Sequence, residues 1–72
     1  MRLDRVKEGT KVQIISIGGG KGVRRRLTEL GIFPGEYGTV EKNSFGPILL
    51  RINGNNIALG RGIAAKIEVK VE

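Results

Sequence analysis

The 72-residue chain has no cysteine, no histidine and no tryptophan, and each absence closes a class of chemistry. No disulfide can staple the fold, and the thiolate and imidazole ligands that dominate transition-metal sites are missing. Ser-His-Asp and Cys-His arrangements are impossible. The oxygen ligands that remain, Asp4, Glu8, Glu29, Glu36, Glu41, Glu68 and Glu72, are scattered along the chain and read as solvated surface acids. They offer neither a metal cluster nor an acid and base pair, so the expectation is a non-enzyme without a cofactor. Aromatics are confined to Phe33, Tyr37 and Phe45, too few for a platform that stacks single-stranded nucleic acid. No apolar run approaches the roughly 18 residues that span a bilayer. Met1 to Arg5 also lacks the apolar segment of a secretion signal,. The chain is therefore expected to be a soluble, unprocessed, cytoplasmic domain.

What is present is positive charge and glycine. Thirteen Lys and Arg stand against seven Asp and Glu, for a net charge of +6, which favours anionic partners without choosing among acidic protein faces, nucleic acid and lipid head groups. A chain of this length forms one domain, residues 1–72, with one core that supplies only about 3 to 5 kcal/mol. Such a domain often gains from a partner, and a weak homo-oligomer is one way to supply it.

The densest signal runs from Arg24 to Gly35. Val23, Leu27 and Leu30 recur at the spacing of one helical face, while Arg24, Arg25, Arg26, Thr28 and Glu29 fall elsewhere around the helix. Gly31 stands where helices turn left-handed and stop, and Pro34-Gly35 adds a turn. On either side lie strands. Lys11 to Ile17 is apolar and β-branched, and its adjacent Ile14 and Ile15 break alternation, which means burial on both faces or a bulge. Glu36 to Lys42 is a weaker strand, interrupted by Gly38, where a bulge or kink is expected. Ile48, Leu50 and Ile52 share a face, and Asn53-Gly54-Asn55-Asn56 supplies turn chemistry before Ile57-Ala58-Leu59. Gly60 to Ala65 allows a single helical turn, after which Ile67, Val69 and Val71 alternate with Glu68 and Lys70. Short strands with glycine-rich connections predict a mainly β fold, a small barrel of about five strands. The core is assigned to Leu30, Ile32, Ile48, Leu50, Ile57, Leu59, Ile67 and Val69, with Phe33 packed against it.

Two glycine motifs invite nucleotide readings, and both fail on spacing. Gly18-Gly19-Gly20-Lys21-Gly22 has Ile15 where a phosphate loop needs its first glycine and Gly22 where it needs a hydroxyl,. Gly60-Arg61-Gly62-Ile63-Ala64-Ala65 fits the loose dinucleotide fingerprint, but only seven residues follow it, too few to complete a βαβ unit,.

The order of these landmarks resembles the ferrous iron transport protein A (FeoA) family. The carriers are Leu3 and Gly9; Ile14 and Ile17 before the glycine run; Arg26-Leu27, Leu30-Gly31-Ile32 and Pro34-Gly35; Gly46-Pro47 and Gly54; Ile57-Ala58-Leu59-Gly60; and Ala64, Ile67 and Val69. The resemblance covers about Leu3 to Val71 and implies an SH3-like barrel with a short helix inserted after the first long strand. It also implies a non-enzymatic accessory of ferrous iron transport, whose partner is the cytoplasmic G-protein region of a membrane iron permease. Similar domains form the C-terminal module of metal-dependent repressors. Two features depart from the family pattern: Gly38 stands where an apolar residue is usual, leaving that strand's register open, and the arginine triplet is heavier than the motif requires.

Lys21, Arg24, Arg25 and Arg26 have two readings, a solvated face that keeps the domain soluble and a binding face. Arginine favours binding, because its planar fork makes paired hydrogen bonds to carboxylates or phosphates. Arg26, beside Leu27, is expected to brace the helix against Glu29 or Glu36. Tyr37 and Phe45 are candidates for the wall of a peptide groove between loops. The residues assigned to partner contact are Arg24, Arg25, Tyr37, Phe45, Arg51 and Arg61. The competing reading is a nucleic-acid-binding small barrel, carried by the +6 charge and the glycine-rich loops.

Overall fold

The computed structural model describes all 72 residues. A single turn of 3-10 helix, Leu3–Arg5, leads into β1 (Lys11–Ile17), α1 (Lys21–Glu29), β2 (Tyr37–Lys42), β3 (Ile48–Ile52), β4 (Asn55–Leu59), α2 (Arg61–Ala64) and β5 (Ile67–Val71). The strands form one antiparallel sheet in the order β4-β3-β2-β1-β5. β1 lies between β2 and the last strand, so Gln13 faces both Tyr37 and Lys70. The sheet bends at two irregularities. One falls between Ile14 and Ser16, where the extra residue, Ile15, is turned out to solvent at 47% exposure. Of the two meanings of the adjacent isoleucines, the bulge is the one realised. The other falls between Val40 and Lys42, away from Gly38.

Gly38 itself is in regular pairing, opposite Val12, with Tyr37 opposite Gln13 and Thr39 opposite Lys11. It marks close packing rather than a kink. A Cβ there would lie 2.9 Å from Ile52 Cγ1, 3.0 Å from the Arg51 carbonyl oxygen and 3.2 Å from Leu50 Cδ1. The volume that an apolar side chain would need is already filled from β3.

Fourteen buried residues make one core, drawn from every element: Leu3, Val6, Val12, Ile14, Leu27, Ile32, Val40, Ile48, Leu50, Ile52, Leu59, Ala64, Ile67 and Val69. Three sequence assignments need correction. Leu30 is 47% exposed, Phe33 is 39% exposed, and Ile57 is only partly buried against the core. For Leu30 and Phe33 the cause lies in how α1 stops. The Gly31 amide donates to the Thr28 carbonyl and the Ile32 amide to the Leu27 carbonyl, at 2.9 and 2.8 Å, the bonding pattern of a Schellman stop with Gly31 at φ +90°,. That geometry folds Ile32 back onto Leu27, both buried, and leaves Phe33 and Leu30 on the outside.

A Cβ on Gly31 would meet nothing within 4 Å, so the cost of substitution there is purely that of a left-handed backbone. Gly31→Val should lower stability by about 1 to 2 kcal/mol, a fall of roughly 4 to 16 °C in melting midpoint for a domain of this size. Thermal denaturation followed by circular dichroism reads it, and an unchanged midpoint would refute the assignment of Gly31 as the stop.

The β3–β4 turn is shorter than its four polar residues predict. Asn53 and Gly54 alone occupy it, both with positive φ (51° and 81°), as a two-residue type I′ turn requires. Asn55 and Asn56 therefore belong to β4, paired with Ile52 and Arg51. At the start of the chain the Arg2 guanidinium donates to both carboxylate oxygens of Asp4, at 3.0 and 2.7 Å. This bond holds the Asp4 carboxyl below its ordinary range,. No helix is long and apolar enough to cross a membrane.

Candidate functional site: a basic ridge beside an apolar groove

α1 connects the glycine run to β2 and carries Lys21, Arg24, Arg25 and Arg26, all exposed. Its N-terminal cap is Gly20, without a side-chain hydrogen bond. The loop is held instead by Arg24, whose Nη1 donates to the Gly19 carbonyl at 2.6 Å. Arg24 therefore spends one donor on its own loop and keeps the rest of its fork for solvent. The Arg25 side chain has no hydrogen bond or ion pair within the chain, and neither does that of Arg26. The expected brace from Arg26 to Glu29 or Glu36 is not made. Glu36 accepts instead from the Asn53 side-chain amide at 3.1 Å.

Arg26 serves a different surface. A groove of about 190 Å³ runs between α1 and the β4–α2 connection, walled by Val23, Arg26, Leu27 and Leu30 on one side and by Ala58, Leu59, Gly60 and Ile63 on the other. Six of these eight residues are apolar, so one guanidinium stands at the rim of a hydrophobic slot. The slot follows from the helix stripe: of Val23, Leu27 and Leu30, only Leu27 enters the core, and the two flanking residues are left to wall an opening. The arrangement has an apolar seat and adjacent charge, the two components of a peptide- or protein-docking site.

The other candidates are dispersed. Tyr37 begins β2 and Phe45 lies in the loop that follows its far end, so roughly 17 Å of strand separates them and they share no groove. The Lys11 ammonium lies 5.3 Å from the centre of the Tyr37 ring, a cation–π contact on the β1–β2 surface. Phe45 is 96% exposed. Arg51 lies on β3, with its Nη1 3.8 Å from a Glu41 carboxylate oxygen, and both side chains are open to solvent. Arg61 is tied down: its guanidinium donates to Asn43 Oδ1 at 2.7 Å and to the Gly46 carbonyl at 3.2 Å. Asn43 in turn donates to the Asp4 and Val6 carbonyls. Arg61 thus bolts α2 to the β2–β3 loop and, through Asn43, to the first turn. The groove roles of Val23, Arg26, Leu30 and Ile63 are not displayed by the sequence pattern. The available signal was that a nine-residue helix on a small barrel has room to bury only part of its apolar stripe.

No group of three or more Asp and Glu side chains gathers anywhere in the fold, and no buried side-chain polar atom lacks a partner. Five bent antiparallel strands and a helix after the first of them define a small SH3-like barrel. The FeoA domain model matches residues 1–71, and the chain belongs to the FeoA family. A protein of Methanocaldococcus jannaschii named for Fe(2+) transport, as protein A, is 42% identical over 64 residues, which are 89% of this chain and 78% of that one. A crystal structure of an iron uptake regulatory protein, FeoA, superposes with a TM-score of 0.94 at 29% identity, over 100% of this chain and 97% of that one. The FeoA of Stenotrophomonas maltophilia, described as an SH3 domain protein and solved with zinc, superposes with a TM-score of 0.83 at 25% identity, over 97% and 89% of the two chains. The fold also recurs within IdeR of T. acidophilum, at a TM-score of 0.91 and 20% identity, where all of this chain matches 34% of the longer one.

Proposed function

We propose that this domain is a non-enzymatic, cytoplasmic accessory of ferrous iron transport, which docks on the cytoplasmic G-protein region of a membrane iron permease. Family membership and the relative named for Fe(2+) transport support the pathway. The observation that carries the docking mode is the apolar groove with Arg26 at its rim, on the same helix that exposes Arg24 and Arg25. Arg25 and the free part of the Arg24 fork meet carboxylates of the partner, and the groove buries an apolar side chain, so charge steers the approach and burial slows release. The domain acts by occupancy, with no step of bond making assigned to it. Binding of nucleic acid fits the geometry less well, since Phe33, Tyr37 and Phe45 are spread over separate loops and strands and supply no stacked platform.

The test is titration of the permease's cytoplasmic domain with the wild type and with the double variant Arg24→Glu/Arg25→Glu, followed by calorimetry. The variant should bind at least about tenfold more weakly and lose most of its salt dependence, with an unchanged far-ultraviolet dichroism spectrum. Equal affinity of the two proteins would remove the charged half of the mechanism.

A further inference from the structure

The groove opens beside a strand whose outer edge is unused. In the β3–β4 hairpin the two-residue turn makes Ile52 and Asn55 the first mutually hydrogen-bonded pair, and the register then alternates: Leu50 with Ile57 and Ile48 with Leu59 are bonded pairs, whereas Arg51 with Asn56 and Leu49 with Ala58 are not,. Asn56 and Ala58 therefore turn their backbone N–H and C=O groups away from β3. Neither residue enters any backbone hydrogen bond outside the sheet ladder, and both are exposed.

The opposite edge of the sheet is protected. On β5 the Val69 amide donates to the Met1 carbonyl at 2.7 Å, Arg2 forms a bridge with Glu68, and the Met1 ammonium pairs with the Glu68 carboxylate. β4 has no such cover. Its sequence, Asn-Asn-Ile-Ala-Leu, contains no proline, lysine or glutamate to block pairing,.

We infer that the outer edge of β4 takes an extended, acidic segment of a protein partner as a sixth strand, paired through Asn56 and Ala58, with one apolar side chain of that segment seated in the groove between α1 and α2. This rests on the docking function proposed above and specifies its form. Ala58 belongs both to the edge and to the groove wall, so a strand laid along β4 runs past the slot, and its alternate side chains reach it. The occupant is acidic because Arg26 stands at the rim of the groove and the chain as a whole carries a charge of +6,. A second copy of this chain would bring another +6 to the same surface,.

The probe is a blocked seven-residue peptide with glutamate at alternate positions and valine, leucine and valine between them, titrated into the isotopically labelled chain and followed by NMR and amide exchange. The Asn56 and Ala58 amides should shift and exchange at least tenfold more slowly. Of two peptides N-methylated at alternate backbone positions, one set or the other, one should bind at least tenfold more weakly than the parent and the other equally well. Ala58→Pro, which removes an outward N–H and leaves the β3 ladder whole, should also weaken binding at least tenfold. If the parent peptide perturbs α1 alone, or both methylated peptides bind like it, strand addition is overturned while docking through α1 stands. Failure of the peptide with α1 still shifted by the permease's cytoplasmic domain has the same meaning. Absence of any shift with either ligand overturns both. Concentration-dependent shifts at Asn56 and Ala58 without ligand would assign the edge to a second copy and overturn the acidic occupant.

Discussion

Gly38→Val is expected to unfold a large part of the population at temperatures where the wild type is intact. The backbone at Gly38 is ordinary extended chain, so the effect is one of volume. The first carbon of any side chain would stand 3.0 Å from the Arg51 carbonyl oxygen and 2.9 Å from Ile52 Cγ1. The carbonyl is backbone of β3, which pairs with β2 through Thr39 and Arg51, and it cannot retreat without opening that pairing. Overpacking of this kind costs about 1 to 3 kcal/mol, against the roughly 3 to 5 kcal/mol that a core of this size supplies. A fall in melting midpoint of roughly 4 to 24 °C follows, with a smaller fall for Gly38→Ala. Thermal and urea denaturation of both variants decide the matter. A midpoint for Gly38→Ala equal to that of the wild type would show that β3 yields at no cost.

Leu30→Lys is expected to abolish most docking while leaving the fold nearly untouched. Leu30 caps the C-terminal end of α1 and is 47% exposed, and a lysine there is favoured by the helix dipole. Stability should change by less than about 0.5 kcal/mol. In the groove, however, an ammonium would have to be desolvated where a leucine packed, and burial of the exposed half of Leu30 is lost as well, worth about 1 kcal/mol by itself. The affinity for the permease's cytoplasmic domain should fall by at least about tenfold. The substitution separates two causes, because it adds positive charge while removing apolar surface. If the arginine ridge alone held the partner, Leu30→Lys would bind at least as tightly as the wild type, and the groove would have no part in the interaction.

Much of the architecture was legible because local signals agreed. The stop at Gly31, the turn at Asn53-Gly54 and the alternation of Ile67, Val69 and Val71 each specify backbone shape through φ preference or period two, and a short chain has few ways to join them. The failures share a cause. Leu30 and Phe33 are apolar and so read as core, but their direction is set by hydrogen bonds at the helix end that pattern alone does not display. Gly38 looked like a weakness in its strand, yet its role is decided by Leu50 and Ile52, which reach it from another strand. The candidate site was half visible. The cationic helix is written in consecutive residues, whereas the groove is assembled from α1, β4 and α2, and its far wall is made of Ala58, Leu59 and Gly60, which carry no chemistry by themselves. Arg61 has a role that its place in a glycine-rich turn does not display: two of its donors go to Asn43 and Gly46.

The position of β1 between β2 and β5 has a kinetic consequence. Gln13 meets Lys70 more than fifty residues later, so the pairing that completes the sheet joins the earliest strand to the last. Entropy of loop closure must be lost before that contact returns anything. The β2–β3–β4 meander, linked by short turns, can assemble while β5 is still unmade. β1 then waits with one edge open until Val71 is available, and the interval in which that edge is bare is when this small barrel is most exposed to wrong pairing.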